Sequence, residues 1–391
     1  MALMLSKMQQ IVDSKPSRLL SANMKSIVNK AKNMFGDSYN SPLLAIDIDV
    51  IKYKLAEFVD AMPHVTPHYA VKANPHPLIL KALAKCSASF EVASVKEIEV
   101  LDQNGLLTRD IQFSNPVKSE SSILYAKKRG IKWFAFDSED ELRKINNLHK
   151  DAKLSLRVDV PNDGSDWPLN GKFGVKLCEI DNLIKVARES NANFCGLTFH
   201  VGSQCRNPVN WDTAIQQMIA IISKMQKSGL AVKILNIGGG FPVELSTPVP
   251  SIKEIGEIIY SALSSLPNGV RVIAEPGRFL VAESGCLMSQ VIGTAFRDGA
   301  PWVYLDLGMF GGLLELSQGL PYEMFSPAEG DLIPYTVAGP TCDAIDVLPT
   351  RHFLPQHLEV GDFVFILNAG AYTNVYASEF NGFPLPQVEF L

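Results

Sequence analysis

The sequence predicts an α/β protein: a closed (β/α)8 TIM-type barrel, then a C-terminal mainly β domain that also takes in an N-terminal strand. Three observations predict it. Eight short apolar runs, at residues 69–72, 89–92, 111–114, 133–136, 154–158, 196–200, 234–237 and 272–274, each lead into a polar or glycine-rich turn and mostly into a helix-like stretch. Eight strand-then-helix units in roughly 220 residues are what a closed barrel needs, with an open doubly wound sheet as the alternative. Reactive side chains also gather at or just past these runs: Lys72, Glu91, Asn115, Asp137, Arg157, His200, Gly238 to Gly240 and Glu275. Barrel enzymes place their chemistry at those carboxyl ends, whereas chance would scatter such residues along strands and helices alike.

In chain order, the pattern is helical and amphipathic from Met1 to about Asn40, and residues 41–47 read as a strand that leads into a helix through Phe58. Residues 77–85 and 94–103 read as the first helices of the barrel. After Arg278 the helical rhythm stops, and residues 286–296, 302–305, 333–337 and 362–367 form short strand-like runs between Gly/Pro turns. The strand at 43–46 has no place in the barrel count, so it is expected to join this later sheet. The domains are therefore drawn as an N-terminal segment 1–47 joining the β domain, a barrel at 48–284 and the β domain at 285–391.

Composition bounds the function. With 391 residues, 47% of them hydrophobic and 20% charged, the chain can build a large core, and nothing points to disorder. A net charge of -5 gives no basic footprint, which argues against nucleic acid and against electrostatic binding to membranes. Lys7, Asp13, Lys15 and Arg18 interrupt any apolar signal-peptide core, and no run approaches the ~18 apolar residues of a membrane span. The six cysteines (Cys86, Cys178, Cys195, Cys205, Cys286 and Cys342) show no paired spacing, against both a disulfide framework and a metal site. A reducing cytoplasm is the expected compartment.

The chemistry centres on the run from Pro67 to Pro75. It reads as a buried strand that delivers one amine, Lys72, to its carboxyl end, where desolvation favours the neutral nucleophile. Alone, Lys72 reads rather as a surface lysine at a strand end, because lysines are common and the motif is short. Leu235-Asn-Ile-Gly-Gly-Gly-Phe-Pro242 puts three glycines after a strand, where bare backbone amides converge on a phosphate. Glu275-Pro-Gly-Arg278 at the next strand end adds a guanidinium to match a dianion. Cys342 stands apart because its Gly-Pro-Thr-Cys-Asp setting is a turn, where loop chemistry decides residue choice.

Further motifs run in order from about residue 40 to the C-terminus: Tyr69-Ala-Val-Lys-Ala-Asn74, Phe90-Glu-Val-Ala-Ser94, Ser114-Asn-Pro-Val-Lys118, Lys172-Phe-Gly174, Phe199-His-Val-Gly-Ser203, Gly339-Pro-Thr-Cys-Asp343, Gly370-Ala-Tyr-Thr373 and Phe380-Asn-Gly-Phe383. With the glycine run and the Glu275 motif, the chain resembles the fold-type III pyridoxal-phosphate (PLP) decarboxylases of ornithine, lysine, arginine and diaminopimelate. The ornithine branch is nearest through Gly-Pro-Thr-Cys-Asp and Phe-Asn-Gly-Phe.

The resemblance implies roles. Lys72 holds PLP as a Schiff base, and Glu275 faces the pyridine nitrogen, so that the ring accepts the electrons left when CO2 departs. His200 stacks on the ring. Gly238, Gly239, Gly240, Arg278, Ser203 and Tyr372 surround the phosphate, while Glu91 and Arg157 form a charged pair near the ring hydroxyl and the lysine. Cys342 protonates Cα, Asp343 recognises the distal amine and Phe380 lines the pocket. The turn carrying Cys342 and Asp343 reaches into a second subunit's site, so a homodimer is implied. In relatives the segment after Glu315 commonly carries another acid. Here it reads Leu316-Ser-Gln-Gly-Leu-Pro-Tyr-Glu-Met324, leaving Glu315, Gln318, Tyr322 and Glu323 as the substrate-side candidates. The expected reaction is decarboxylation of a basic L-amino acid, ornithine first, then lysine, arginine or a non-standard amino acid of siderophore or antibiotic assembly. A PLP racemase and a silent binding homologue are the rivals. Racemases of that fold place an arginine by the ring nitrogen, against which Glu275 speaks, and silent homologues tend to lose the lysine, cysteine or phosphate ligands kept here.

Overall fold

The computed structural model describes residues 21–107 and 110–391. Residues 1–20 of the expected N-terminal helical stretch lie outside it. The helix Ala22–Phe35 follows, and Ser21 caps it by accepting the Met24 amide at 3.2 Å. Two compact units emerge. One holds the described residues up to Ile51, with Val243–Pro248 and Leu280–Leu391; the other holds Lys52–Pro242 and Val249–Phe279.

Strand β1 (Leu43–Ile46) belongs to the first unit and leads into the helix Ile48–Ala61. The second unit is the barrel. Its eight parallel staves are β2 (Val65–Ala70), β3 (Ser89–Val92), β4 (Ile111–Phe113), β5 (Trp133–Phe136), β6 (Lys153–Arg157), β8 (Phe194–Thr198), β10 (Ile234–Asn236) and β11 (Arg271–Ala274); a small antiparallel pair, β7 (Ser165–Trp167) with β9 (Ser203–Cys205), stands beside them. The ring closes because β11 pairs with β2 and with β10. All eight runs anticipated from the sequence are staves of this barrel, with ends moved by no more than a few residues.

The staves read as near-continuous apolar runs because helices and barrel interior bury both faces. Phe113 and Phe134 pack at 5.8 Å, Phe136 and Phe194 edge-on at 5.3 Å. Serines set where several return helices begin: Ser94, Ser119, Ser138 and Ser251 each cap one by accepting an amide of its first turn. Each cap fixes how soon the chain turns back after a stave, and so how short the functional loops are.

In the first unit, the long β12 (Gly285–Arg297) pairs with β13 (Ala300–Leu305), β17 (Phe363–Ile366) and, antiparallel, with β1. The expected return of the N-terminal strand is thus observed. β14 (Met324–Phe325), β15 (Leu332–Ala338), β16 (His352–Pro355) and β18 (Gln387–Phe390) complete the sheet, β18 running parallel to β1. Met24, Ile27, Val28 and Ala31 of the first helix pack with Leu43, Ala45, Cys286, Met288 and Phe365 in its core. Cys286 is the small buried hydrophobe the sequence suggested, its thiol pushed up to about 12 by burial.

Candidate functional site at the carboxyl ends of the barrel strands

β2 ends at Ala70, and a single 3-10 turn, Val71–Ala73, carries Lys72 one step beyond the stave. Val71 and Ala73 are buried and anchor the turn, while the Lys72 side chain keeps 43% of its surface. Glu91 on the adjacent β3, in register with Ala70, is buried and accepts from Lys72 Nζ at 2.6 Å. Burial raises the Glu91 carboxyl above its ordinary range; Lys72 pulls it down, and Glu275 and Glu97 push it up again.

The expected Glu91–Arg157 pair is corrected here: the ion-pair partner of Glu91 is Lys72. β2 and β3 are neighbours, whereas β6, which ends in Arg157, lies three staves from β3. The Arg157 guanidinium instead sits 5.5 Å from the centre of the Phe173 ring. Burial lowers its affinity for the proton, and Glu275, Asp137, Glu91 and Asp159 act in the opposite sense.

His200 follows β8, and its Nδ1 accepts the Gly202 amide at 3.0 Å, which leaves the proton on Nε2. Burial, with Arg157 and Lys72 nearby, lowers it to about 3, so the ring is neutral at physiological pH. Ser203 opens β9 three residues after His200.

The glycine run after β10 has no room for side chains. A Cβ on Gly238 would stand 2.2 Å from the Phe199 carbonyl oxygen, one on Gly239 2.6 Å from that of Glu275, and one on Gly240 2.1 Å from that of Gly202. Gly238 and Gly240 also have φ of +67° and +93°. The run therefore packs against the turns after β8 and β11 with its backbone bare. Arg278, buried, begins the short helix Arg278–Val281 just after the Glu275-Pro-Gly turn.

Glu275, largely buried, follows β11 and accepts from Ser114 Oγ at 2.5 Å and from Asn236 Nδ2 at 2.6 Å. Neither partner was singled out from the sequence, nor was Glu97, which accepts the Ala93 amide at 2.7 Å; burial raises its carboxyl, with that amide and Lys72 acting in the opposite sense. The signal for Ser114 and Asn236 was position: both stand at stave ends, inside motifs already quoted, though neither was given a role.

The remaining sequence candidates lie in the first unit. Cys342 is exposed, and both its amide and its thiol donate to Asn381 Oδ1, at 3.1 and 3.2 Å. Asp343 accepts the Ile345 amide and caps the turn Ala344–Asp346. Phe380 stacks on Phe310 with centroids 4.5 Å apart. Glu315 and Tyr322 are buried and joined, the hydroxyl donating to the carboxylate at 2.7 Å. Gln318 is exposed and Glu323 half-buried. Tyr372 adopts φ +57° and stacks on Tyr376.

Within the barrel unit, the donor set fits one kind of cofactor. A half-exposed amine on a buried carboxylate, a glycine turn that a single Cβ would fill, a buried arginine after the next stave and a separately held carboxylate suit a planar carbonyl compound bearing a phosphate. Among the described residues no group of three or more His, Cys, Asp or Glu side chains could hold a metal, and no helix is long and apolar enough to cross a membrane.

Known proteins share this pattern. The family described as "Pyridoxal-dependent decarboxylase, pyridoxal binding domain" matches residues 48–282. Ornithine decarboxylase of Mus musculus is 33% identical over 372 residues, which cover 88% of this chain and 78% of that protein. The crystal structure of the Vibrio vulnificus lysine/ornithine decarboxylase complexed with cadaverine aligns with a TM-score of 0.87 at 35% identity, over 95% of this chain and 100% of that one. The arginine decarboxylase of Paramecium bursaria Chlorella virus bound to agmatine aligns with a TM-score of 0.87 at 30% identity, over 94% and 100%.

Proposed function

The chain belongs to the pyridoxal-dependent decarboxylases and acts on a basic amino acid, and we propose that this amino acid is ornithine, released as putrescine and CO2. The observation that carries the reading is Lys72 on the buried Glu91 at the barrel mouth, in the same set of stave ends as Glu275 and the glycine turn. For the choice of substrate, support comes from the 33% identity to an ornithine decarboxylase and from Asp343, an exposed carboxylate suited to one distal ammonium. Lysine is the second reading, because the Vibrio vulnificus lysine/ornithine enzyme is equally similar and no acid stands at Gln318 or Gly319.

Bound PLP supplies the electron sink for the pair left at Cα when CO2 departs. The chain does the rest. Lys72 Nζ would tether the cofactor, and Glu91 accepts its hydrogen bond. Glu275 would serve the ring nitrogen and favour its protonated form. His200, neutral with its ring fixed by the Gly202 amide, would pack on the ring without adding charge. The amides of Gly238 to Gly240, with Arg278 and Ser203, would hold the phosphate, and Cys342 would return a proton to Cα.

We infer a homodimer in which the turn bearing Cys342 and Asp343 serves the second copy. Ile345, Phe380, Phe383 and Leu385 leave apolar surface exposed around that turn, of the kind a second copy covers. The substrate reading is tested by kcat/KM for ornithine, lysine and arginine with product identification. Ornithine is expected to lead lysine by tenfold or more, since a methylene too many in a fitted pocket costs ~1–3 kcal/mol. Equal or higher kcat/KM for lysine would overturn ornithine as the preferred substrate while leaving the chemistry in place.

A further inference from the structure

Ser114 and Asn236 come from staves that are far apart in sequence and separated around the ring. β10, which ends in Asn236, is next to β11, whereas β4, which Ser114 follows, is three staves away from β11 on the other side. Yet both donate to the same atom, Glu275 Oε1, at 2.5 and 2.6 Å. The Asn236 amide cannot be turned over, because its Oδ1 accepts the Gly238 amide at 2.9 Å. Its Nδ2 must then point at Glu275, and the same side chain ties the carboxylate to the first residue of the glycine turn. Glu275 is therefore gripped through one oxygen from opposite sides, with Oε2 left over.

We propose that Ser114 is a positioning residue for the decarboxylation, acting with Asn236 as a two-donor clamp that turns Glu275 Oε2 toward the cofactor's ring nitrogen. This rests on the reading that Glu275 serves that nitrogen. Both donors bond a carboxylate more strongly than a carboxylic acid, and together they remove the rotation about the last side-chain torsion that a single donor leaves open. The Ser114 bond crosses the barrel mouth, so it also fixes Glu275 relative to the wall that carries β3 and Glu91. No main-chain contact of Glu275 supplies that constraint, since its amide bonds the Gly238 carbonyl oxygen on the β10 side.

The test uses the PLP-loaded enzyme and Ser114→Ala, Ser114→Thr and Glu275→Gln. Ser114→Ala is expected to lower kcat roughly 10- to 100-fold, the worth of a charge-assisted hydrogen bond, with KM changed by less than about threefold. Its bound-cofactor circular dichroism band should weaken, as expected when the ring is held less rigidly. Ser114→Thr keeps the hydroxyl and should restore most of kcat, while the melting temperature of the PLP-free protein stays the same in all three. A Ser114→Ala enzyme within about twofold of the parent in kcat, with an unchanged dichroism band, would overturn the proposal. So would an equal loss in Ser114→Thr, or a fall in the PLP-free melting temperature that tracks kcat, since either marks a packing role. Glu275→Gln separates the two levels. If it retains full kcat, the reading of Glu275 itself is wrong; if it is disabled while Ser114→Ala is not, only the clamp is wrong.

Discussion

Burial alone would choose Lys118 over Lys72 as the tethering amine. Lys118 is the deeply buried one, lowered to about 8 by desolvation, and its Nζ donates to the carbonyls of Asn115, Pro116 and Ala135 and pairs with Glu141 at 3.2 Å. Those contacts use all of its donors, so it is a structural strut. Lys72 has a carboxylate on one side and open surface on the other, the arrangement a tethering amine needs. At the same scale, Cys342 shares the Asn381 amide oxygen through both backbone and thiol, which holds the sulfur at the tip of its turn. Cys342→Ala is predicted to slow amine release and to divert part of the turnover to aldehyde through misplaced protonation, read by mass spectrometry of the products; unchanged turnover with no aldehyde removes Cys342 from the reaction. Lys72, Glu275 and the glycine run were legible because each sits in a local motif with a chemical meaning. Ser114, Asn236 and Glu97 were not, since a serine, an asparagine and a helix-cap glutamate acquire their meaning only when closure of the ring brings stave ends together.

At the amino end of β11, Arg271 pairs with Asp110, which precedes β4, and His68, midway along β2, approaches the same carboxylate at 3.6 Å. Burial works to raise the Asp110 carboxyl, but His68 and Arg271 outweigh it and hold it at about 2. A carboxyl depressed in the folded state stabilises above its unfolded value near 3.8 and loses that contribution as pH falls through about 2. Asp110→Asn should therefore lose about 2 kcal/mol at pH 7 in urea unfolding, the gap from the parent closing between pH 4 and pH 2. A gap independent of pH would mean that packing, not charge, is what Asp110 supplies. The staves themselves were readable because runs such as 133–136 are apolar throughout and end at turn signals. β14, β16 and β18 were not: two to four residues long, they carry little alternation and owe their form to the partners β17, β15 and β1. Lys72 was expected as the last residue of its stave and lies instead in the 3-10 turn beyond it, a shift that turns its amine toward Glu91.

For the whole molecule, the barrel carries Lys72, Glu91, His200, the glycine run, Glu275 and Arg278, and the other unit carries Cys342, Asp343, Phe380 and Tyr372. With apolar side chains exposed around the Cys342 turn, sedimentation velocity is expected to give twice the 42.9 kDa of one chain. A monomer with full activity would contradict the shared-site reading. Everything at the barrel mouth depends on which amine holds the cofactor. Borohydride reduction of the PLP-loaded protein, followed by proteolysis and peptide mass spectrometry, reads this directly. A phosphopyridoxyl group is expected on the peptide containing Lys72 and none in Lys72→Ala; the group on the Lys118 peptide, or undiminished labelling in Lys72→Ala, would mean that another amine holds the cofactor.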